Sequence, residues 1–215
     1  MTQYGFYYDN SRCTGCRTCE MACKDYHDLP QTCSYRHVFD YEGGDTTLED
    51  GVVKCAAYMY HVSAACNHCE EPACIDSCPF GAIEKEEDTG IVFINQDTCK
   101  GANKCTEACP YGVPVFFEEA KRSNKCDGCR TRVADGKNPI CVDACPLRAL
   151  EFGDVEELRK AHPDAVDNIA PLADPSQTKP SLVIKPAPAA KEYNDTTGAV
   201  LNEKEVTGVV AWDWE

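Results

Sequence analysis

Four runs of closely spaced cysteines constrain this chain more than any hydrophobic pattern in it. The first is Cys13-x2-Cys16-x2-Cys19-x3-Cys23. The second is Cys66-x2-Cys69-x4-Cys74-x3-Cys78-Pro79, and the third is Cys99-x5-Cys105-x3-Cys109-Pro110. The fourth is Cys126-x2-Cys129-x11-Cys141-x3-Cys145-Pro146. Together they use fifteen of the seventeen cysteines, leaving only Cys33 and Cys55 outside.

Each run is a variant of the bacterial ferredoxin pattern, in which three thiolates on a tight loop reach three corners of one iron–sulfur cube. The last cysteine lies beyond a turn of helix and points away, so it ligates a neighbouring cluster. Zinc is the common reading of a lone C-x2-C pair, but a gap of three closed by proline, three times over, is not zinc spacing. Disulfides fit no better, because the cysteine number is odd and most cysteines lie too close in sequence to pair comfortably with one another.

Since last cysteines are exchanged between runs, the runs must form pairs. The second and third are separated as in a ferredoxin, which leaves the first and fourth to each other. The expected fold is therefore α+β: two interlocked bacterial-ferredoxin-like units, the second inserted in the first. Residues 1–60 and 118–168 form one unit and 61–117 the inserted one; residues 169–215 form an extended, partner-docking tail. The expected ligand sets are Cys13, Cys16, Cys19 and Cys145 for cluster one, and Cys126, Cys129, Cys141 and Cys23 for cluster two. Cluster three takes Cys66, Cys69, Cys74 and Cys109, and cluster four takes Cys99, Cys105 and Cys78.

The fourth set is one thiolate short, because Ala102 stands where the first run has its second cysteine. A three-iron cluster, or a four-iron cluster with a corner capped by solvent, follows. The neighbouring Asn103 is a poor iron ligand. The expected cofactors are thus three 4Fe–4S clusters and one 3Fe–4S cluster, or a fourth 4Fe–4S cluster with a non-cysteine ligand. Cys33 and Cys55 read as free residues, though a bond between them stays open.

With 21 basic and 36 acidic side chains the formal charge is −15, which argues against a nucleic-acid partner. No run of about eighteen apolar residues appears, so no direct membrane span is expected. The first residues lack the charged, apolar and small-residue regions of a secretory signal. The protein is expected either to stay in the cytoplasm or to travel folded, clusters in place, with a partner that carries a signal. No dinucleotide or phosphate-binding glycine loop is present, and the five histidines have no ligand spacing, His68 inside Cys66-Asn-His-Cys69 being the nearest to a cluster.

Residues 91–94, 113–117 and 148–152 read as short strands beside the loops, and residues 20–26 as the helix presenting Cys23. Residues 154–162, acidic at the start and basic at the end, read as a capped helix. Beyond residue 169 prolines accumulate, and the apolar stretches at 181–185 and 209–214 favour docking over disorder.

Over nearly its whole length the sequence resembles the iron–sulfur subunit of the dimethyl sulfoxide reductase family. The resemblance rests on the order of the four runs and on Arg12-Cys-Thr-Gly-Cys-Arg-Thr-Cys-Glu20, Cys66-Asn-His-Cys-Glu-Glu-Pro-Ala-Cys74 and Lys125-Cys-Asp-Gly-Cys129. Cys145-Pro-Leu-Arg-Ala-Leu150 and, in the tail, Thr178-Lys-Pro180 and Asp195-Thr-Thr-Gly198 extend it. It implies a non-catalytic subunit relaying single electrons to a large molybdenum or tungsten bis-pterin catalytic subunit, often joined by a quinol-oxidising membrane anchor. Cluster one would then lie nearest the catalytic subunit and cluster four nearest the donor. The alternative is a free-standing polyferredoxin, against which the tail and the long insertion between Cys23 and Cys66 argue.

Overall fold

The computed structural model describes residues 2–206. The apolar stretch expected to dock at 209–214 lies outside them.

The first strand, β1 (Tyr4–Asp9), is buried along almost all of its length. It is followed by α1 (Thr18–Tyr26) and by the insertion, which folds as β2 (His37–Gly43), β3 (Thr46–Glu49), β4 (Val52–Cys55) and β5 (Tyr58–Ala64). The second and third cysteine runs carry α2 (Ala73–Asp76), β6 (Ile83–Lys85), β7 (Val92–Ile94) and α3 (Lys104–Ala108). Then come β8 (Val115–Phe117), β9 (Arg122–Asn124), α4 (Arg130–Ala134), α5 (Ile140–Ala144), β10 (Leu150–Asp154) and α6 (Val155–Ala161). The tail adds β11 (Leu182–Lys185), β12 (Gly198–Val200) and α7 (Glu203–Val206).

β1 is the central strand of a three-stranded sheet. β10 pairs antiparallel on one side, Tyr4 opposite Asp154, and β11 pairs parallel on the other, Phe6 opposite Leu182. A strand enclosed on both faces reads as a continuous apolar run, which explains Phe6-Tyr-Tyr8. Gly5 is required by close approach, since a Cβ there would lie 2.0 Å from the Ser181 carbonyl oxygen. A second sheet, ordered β12–β2–β5, is antiparallel, while β3–β4, β6–β7 and β8–β9 are isolated hairpins.

Helix contacts follow the cysteine runs. α1, which carries Cys19 and Cys23, packs on α5, which carries Cys141; α2 packs on α3. The helix expected at 154–162 forms with Asp154 as its cap, its carboxylate accepting from the amides of Glu156 at 2.8 Å and Glu157 at 3.3 Å. The tail is in large part core of its own fold: Ile169, Ala170 and Leu182 to Ile184 are buried, and Val183 and Ile184 have no exposed surface. Within the expected partner-docking tail, Ile169, Ala170 and Ser181 to Ile184 are thus covered by their own fold, while Ser176, Gln177, Lys179 and Lys185 stay exposed. The physical reason is that β1 needs a second neighbour for its backbone groups, and β11 supplies it.

Candidate metal centres

One backbone device recurs in the four runs. The residue before the second cysteine position has a left-handed conformation each time: Gly15 at φ 67°, His68 at 43°, Gly101 at 76° and Gly128 at 65°. That turn reverses the loop and brings neighbouring side chains inward. A second left-handed residue follows the Cys-Pro pairs, at Gly81, Gly112 and Arg148. There the amides of Ala82 and Ala149 donate to the Cys78 and Cys145 sulfurs respectively, each at 3.3 Å. An amide aimed at a sulfur stabilises its thiolate, so this turn prepares the last cysteine of the run as a ligand.

The cysteines converge in four groups. Cys13, Cys16, Cys19 and Cys145 line one cavity, and Cys66, Cys69, Cys74 and Cys109 line another. A third is lined by Cys78, Cys99 and Cys105 together with Ala102 and Asn103. Cys23 lies beside Cys126, Cys141 and Cys129, whose negative charge adds to burial in pushing its thiol well up. Burial and neighbouring thiols likewise raise Cys74 to about 12 and Cys69 to about 11. Thiols crowded and desolvated in this way are suited to binding cations, which favour their ionised form. The Thr106 hydroxyl donates to the Asn103 backbone carbonyl at 2.7 Å and lies 3.0 Å from the Asn103 Oδ1.

Three buried polar side chains stand among these groups. Lys125 is fully buried and donates from Nζ to the Cys66 sulfur at 3.3 Å and to the Cys126 carbonyl at 2.9 Å. Burial would push Cys66 up, but the neighbouring Lys125 ammonium leads the opposing effects that hold its thiol down at about 5. His68 has no exposed surface, and its Nδ1 accepts from the Val92 amide at 3.0 Å. The proton is therefore on Nε2, which has no partner among the described residues. Arg36 is also buried, with Nε and Nη2 unpartnered. Buried donors left unpaired in the neighbourhood of these thiols fit anionic iron–sulfur clusters, whose sulfides and thiolates would accept from them.

Residue spacing identified the cysteines, but not Arg36 or Lys125, because nothing in a linear sequence marks an arginine or lysine as buried. His68 carried a weak signal: it occupies the position that glycine holds in the other three runs. Of the two outlying cysteines, Cys33 is buried near Cys23 and Cys66, and Cys55 is exposed on the β3–β4 hairpin; both are free.

Four thiol groups with buried cations standing among them define an electron-transfer protein of the multi-cluster ferredoxin class. Residues 57–155 match the profile of a 4Fe-4S dicluster domain, and residues 10–26 that of a 4Fe-4S binding domain. The sequence is 52% identical over 205 residues to the B subunit of the anaerobic dimethyl sulfoxide reductase of Escherichia coli, covering 95% of this protein and 99% of the relative. It is 46% identical to the corresponding B subunit of Haemophilus influenzae, covering 96% and 100%, and 36% identical to the E. coli protein NrfC, covering 72% and 67%. This protein belongs to the dimethyl sulfoxide reductase B-subunit family, whose members are iron–sulfur electron-transfer subunits rather than catalysts.

Proposed function

We propose that the protein conducts single electrons through four clusters in the order of the ligand sets, between a donor and a molybdopterin catalytic subunit of the dimethyl sulfoxide reductase type. Cluster one is held by Cys13, Cys16, Cys19 and Cys145, and cluster two by Cys126, Cys129, Cys141 and Cys23. Cluster three is held by Cys66, Cys69, Cys74 and Cys109, and cluster four by Cys78, Cys99 and Cys105. The first three are 4Fe–4S clusters. The fourth is a 3Fe–4S cluster, because Ala102 offers no ligand and the carboxamide of Asn103 is a poor ligand for iron.

What carries this reading is the gathering of the cysteines into four separate groups, three of them lining cavities, with unpaired buried donors of Arg36 and His68 near their thiols. Bound clusters supply the one-electron carriers. The protein's part is to hold the thiolates, exclude water and present hydrogen-bond donors to sulfur. The two-unit arrangement, with residues 61–117 inserted between 1–60 and 118–168, is proposed on the packing of α1 against α5 and of α2 against α3.

Among the described residues no helix is long and apolar enough to cross a membrane. Attachment to a quinol-oxidising anchor, in this reading, is made through protein contacts. The partner follows from the names of the two more similar of the three relatives, both the B component of an anaerobic dimethyl sulfoxide reductase.

The test is the metal content of the complex recovered anaerobically by a tag on this subunit. Stoichiometric molybdenum or tungsten with about fifteen irons, the sum for three four-iron clusters and one three-iron cluster, is expected. Iron alone on an unaccompanied subunit would make it a free-standing polyferredoxin, and a colourless protein would refute both.

A further inference from the structure

Arg36, at 1% exposure, is the largest of the fully buried side chains among the described residues, and it stands at the boundary between two ligand sets. The charges that act on it are those of Cys141, Cys19, Cys126 and Cys23. Cys19 belongs to the first set and the other three to the second. Its Nη1 donates to the Ser63 carbonyl at 3.2 Å and to the Ser63 hydroxyl at 3.1 Å, and that hydroxyl lies 3.3 Å from the Cys19 sulfur. The Phe6 ring closes the other side, with the guanidinium carbon 4.5 Å from its centroid. Nε and Nη2 are left without hydrogen-bond partners among the described residues.

A guanidinium stays charged at any pH a protein survives, so burial cannot neutralise Arg36. An unpaired buried charge is strongly destabilising, and the remedy must be a negative charge facing it. We propose that Arg36 is the positioning residue of the last electron step, from cluster two to cluster one: its two free edges donate to sulfurs of both clusters, and its charge raises the potentials of both together. The inference rests on the proposed ligand sets. Each cluster gains one negative charge when it takes up one electron, and a fixed cation beside it favours that state. Acting on both neighbours, it keeps the step between them from becoming steep. The boundary between the third and fourth sets is built differently, around Ile75, Ala82, Ile83, Val92 and Ile94.

The experiment is redox titration of the intact complex, followed by paramagnetic resonance, with wild type, Arg36→Gln and Arg36→Lys. The wild type is first assayed for iron; absence of clusters there would fail the proposed function itself, whereas loaded clusters isolate the role of Arg36. In Arg36→Gln the reduction equilibrium of two clusters is expected to fall about tenfold each, ~59 mV for a one-electron couple, with the other two unmoved. Arg36→Lys keeps the charge and loses the Nε and Nη2 donors. It should return the potentials most of the way while changing the exchangeable-proton couplings, read by ENDOR in light and heavy water, on those same two clusters.

Four unchanged potentials in an iron-loaded Arg36→Gln complex, or a common shift of all four, overturn the proposal. Should Arg36→Gln fail to hold iron, the Arg36→Lys couplings decide alone, and couplings identical to wild type overturn it.

Discussion

The hydroxyl of Ser181 donates to the carbonyl of His68 at 3.0 Å, joining residues 113 apart in sequence. The Ser181 amide donates to the Asn67 carbonyl at 3.0 Å, and its own carbonyl accepts from the Phe6 amide at 3.3 Å. Just before it, the carbonyls of Thr178 and Lys179 accept from the amides of Glu71 and Glu70 at 3.1 and 2.9 Å. One short stretch of the tail therefore clamps the loop that bears Cys66 and Cys69 and holds it against β1.

Removal of the tail should consequently undo the centres as well as any docking. A protein ending at residue 168 loses β11, exposes the far edge of β1 and frees the Cys66–Cys69 loop. Poor cluster retention and a large drop in thermal midpoint are expected, read as iron per molecule and by anaerobic unfolding. A truncated form that keeps its full iron would show that the clamp is dispensable. The milder Ser181→Ala, which leaves the His68 carbonyl with only its bond from Gln3 Nε2 at 2.9 Å, is expected to cost ~1 kcal/mol.

The left-handed glycines separate strain from crowding. A Cβ on Gly15 would lie 2.5 Å from His61 Nδ1, and that ring is fixed by its 2.8 Å contact with Asp40 Oδ1. Gly112, at φ 61°, has open space around it. Gly112→Ala is therefore expected to cost ~1 kcal/mol from backbone strain alone. Gly15→Ala adds a clash and should cost about 2–4 kcal/mol, with loss of about four irons from the first set. Equal effects of the two substitutions on stability and iron would contradict this account.

How much of this is legible in the sequence depends on the kind of signal each part leaves. The thiol groupings are readable because a gap of three before Cys23, Cys78, Cys109 and Cys145 marks the cysteine that each run sends to a neighbouring group. The helix α6 is readable because Asp154 and the acidic residues after it mark its start. β1 leaves no alternation, since a strand buried on both faces has none, and its pattern does not announce a strand. β11 shows as an apolar stretch that suits a partner as well as its own sheet, because four residues among prolines do not reveal which strand needs them. The insertion's β2 and β5 stay hidden for a related reason: Tyr41, Tyr58 and Tyr60 pack as aromatic neighbours, with Tyr41 and Tyr60 ring centroids 5.4 Å apart, and only the fold brings them together.

Thiol reactivity should single out one cysteine. Cys55 is exposed, and a bond from the Thr46 hydroxyl, followed by the Ala57 backbone, lowers its thiol pKa. Cys33 is buried, and burial raises its thiol. In the cluster-loaded protein an alkylating reagent is expected to modify Cys55 rapidly and Cys33 only on unfolding, read by peptide mass. Cys55→Ser should abolish the fast labelling. Cys33→Ala should leave the iron content unchanged at a cost of ~1 kcal/mol, since it removes one buried sulfur. Loss of iron in Cys33→Ala would make it a ligand and contradict the sets above.

Ala102 offers a test by addition rather than removal. It lines the same cavity as Cys78, Cys99 and Cys105, and its backbone follows the left-handed Gly101 as Cys16 follows Gly15 and Cys129 follows Gly128. A cysteine at 102 would thus start from the loop geometry that the complete first and fourth runs use. Ala102→Cys is expected to raise the iron content by about one per molecule and to abolish the resonance of an oxidised three-iron cluster, with the other signals unchanged. The substitution should also lower the potential of that cluster, slowing or redirecting entry of electrons at this end of the relay. A wild-type protein that lacks the three-iron signal when kept anaerobic, with iron unchanged in the variant, would instead mean that a fourth iron is already held there by a ligand other than cysteine.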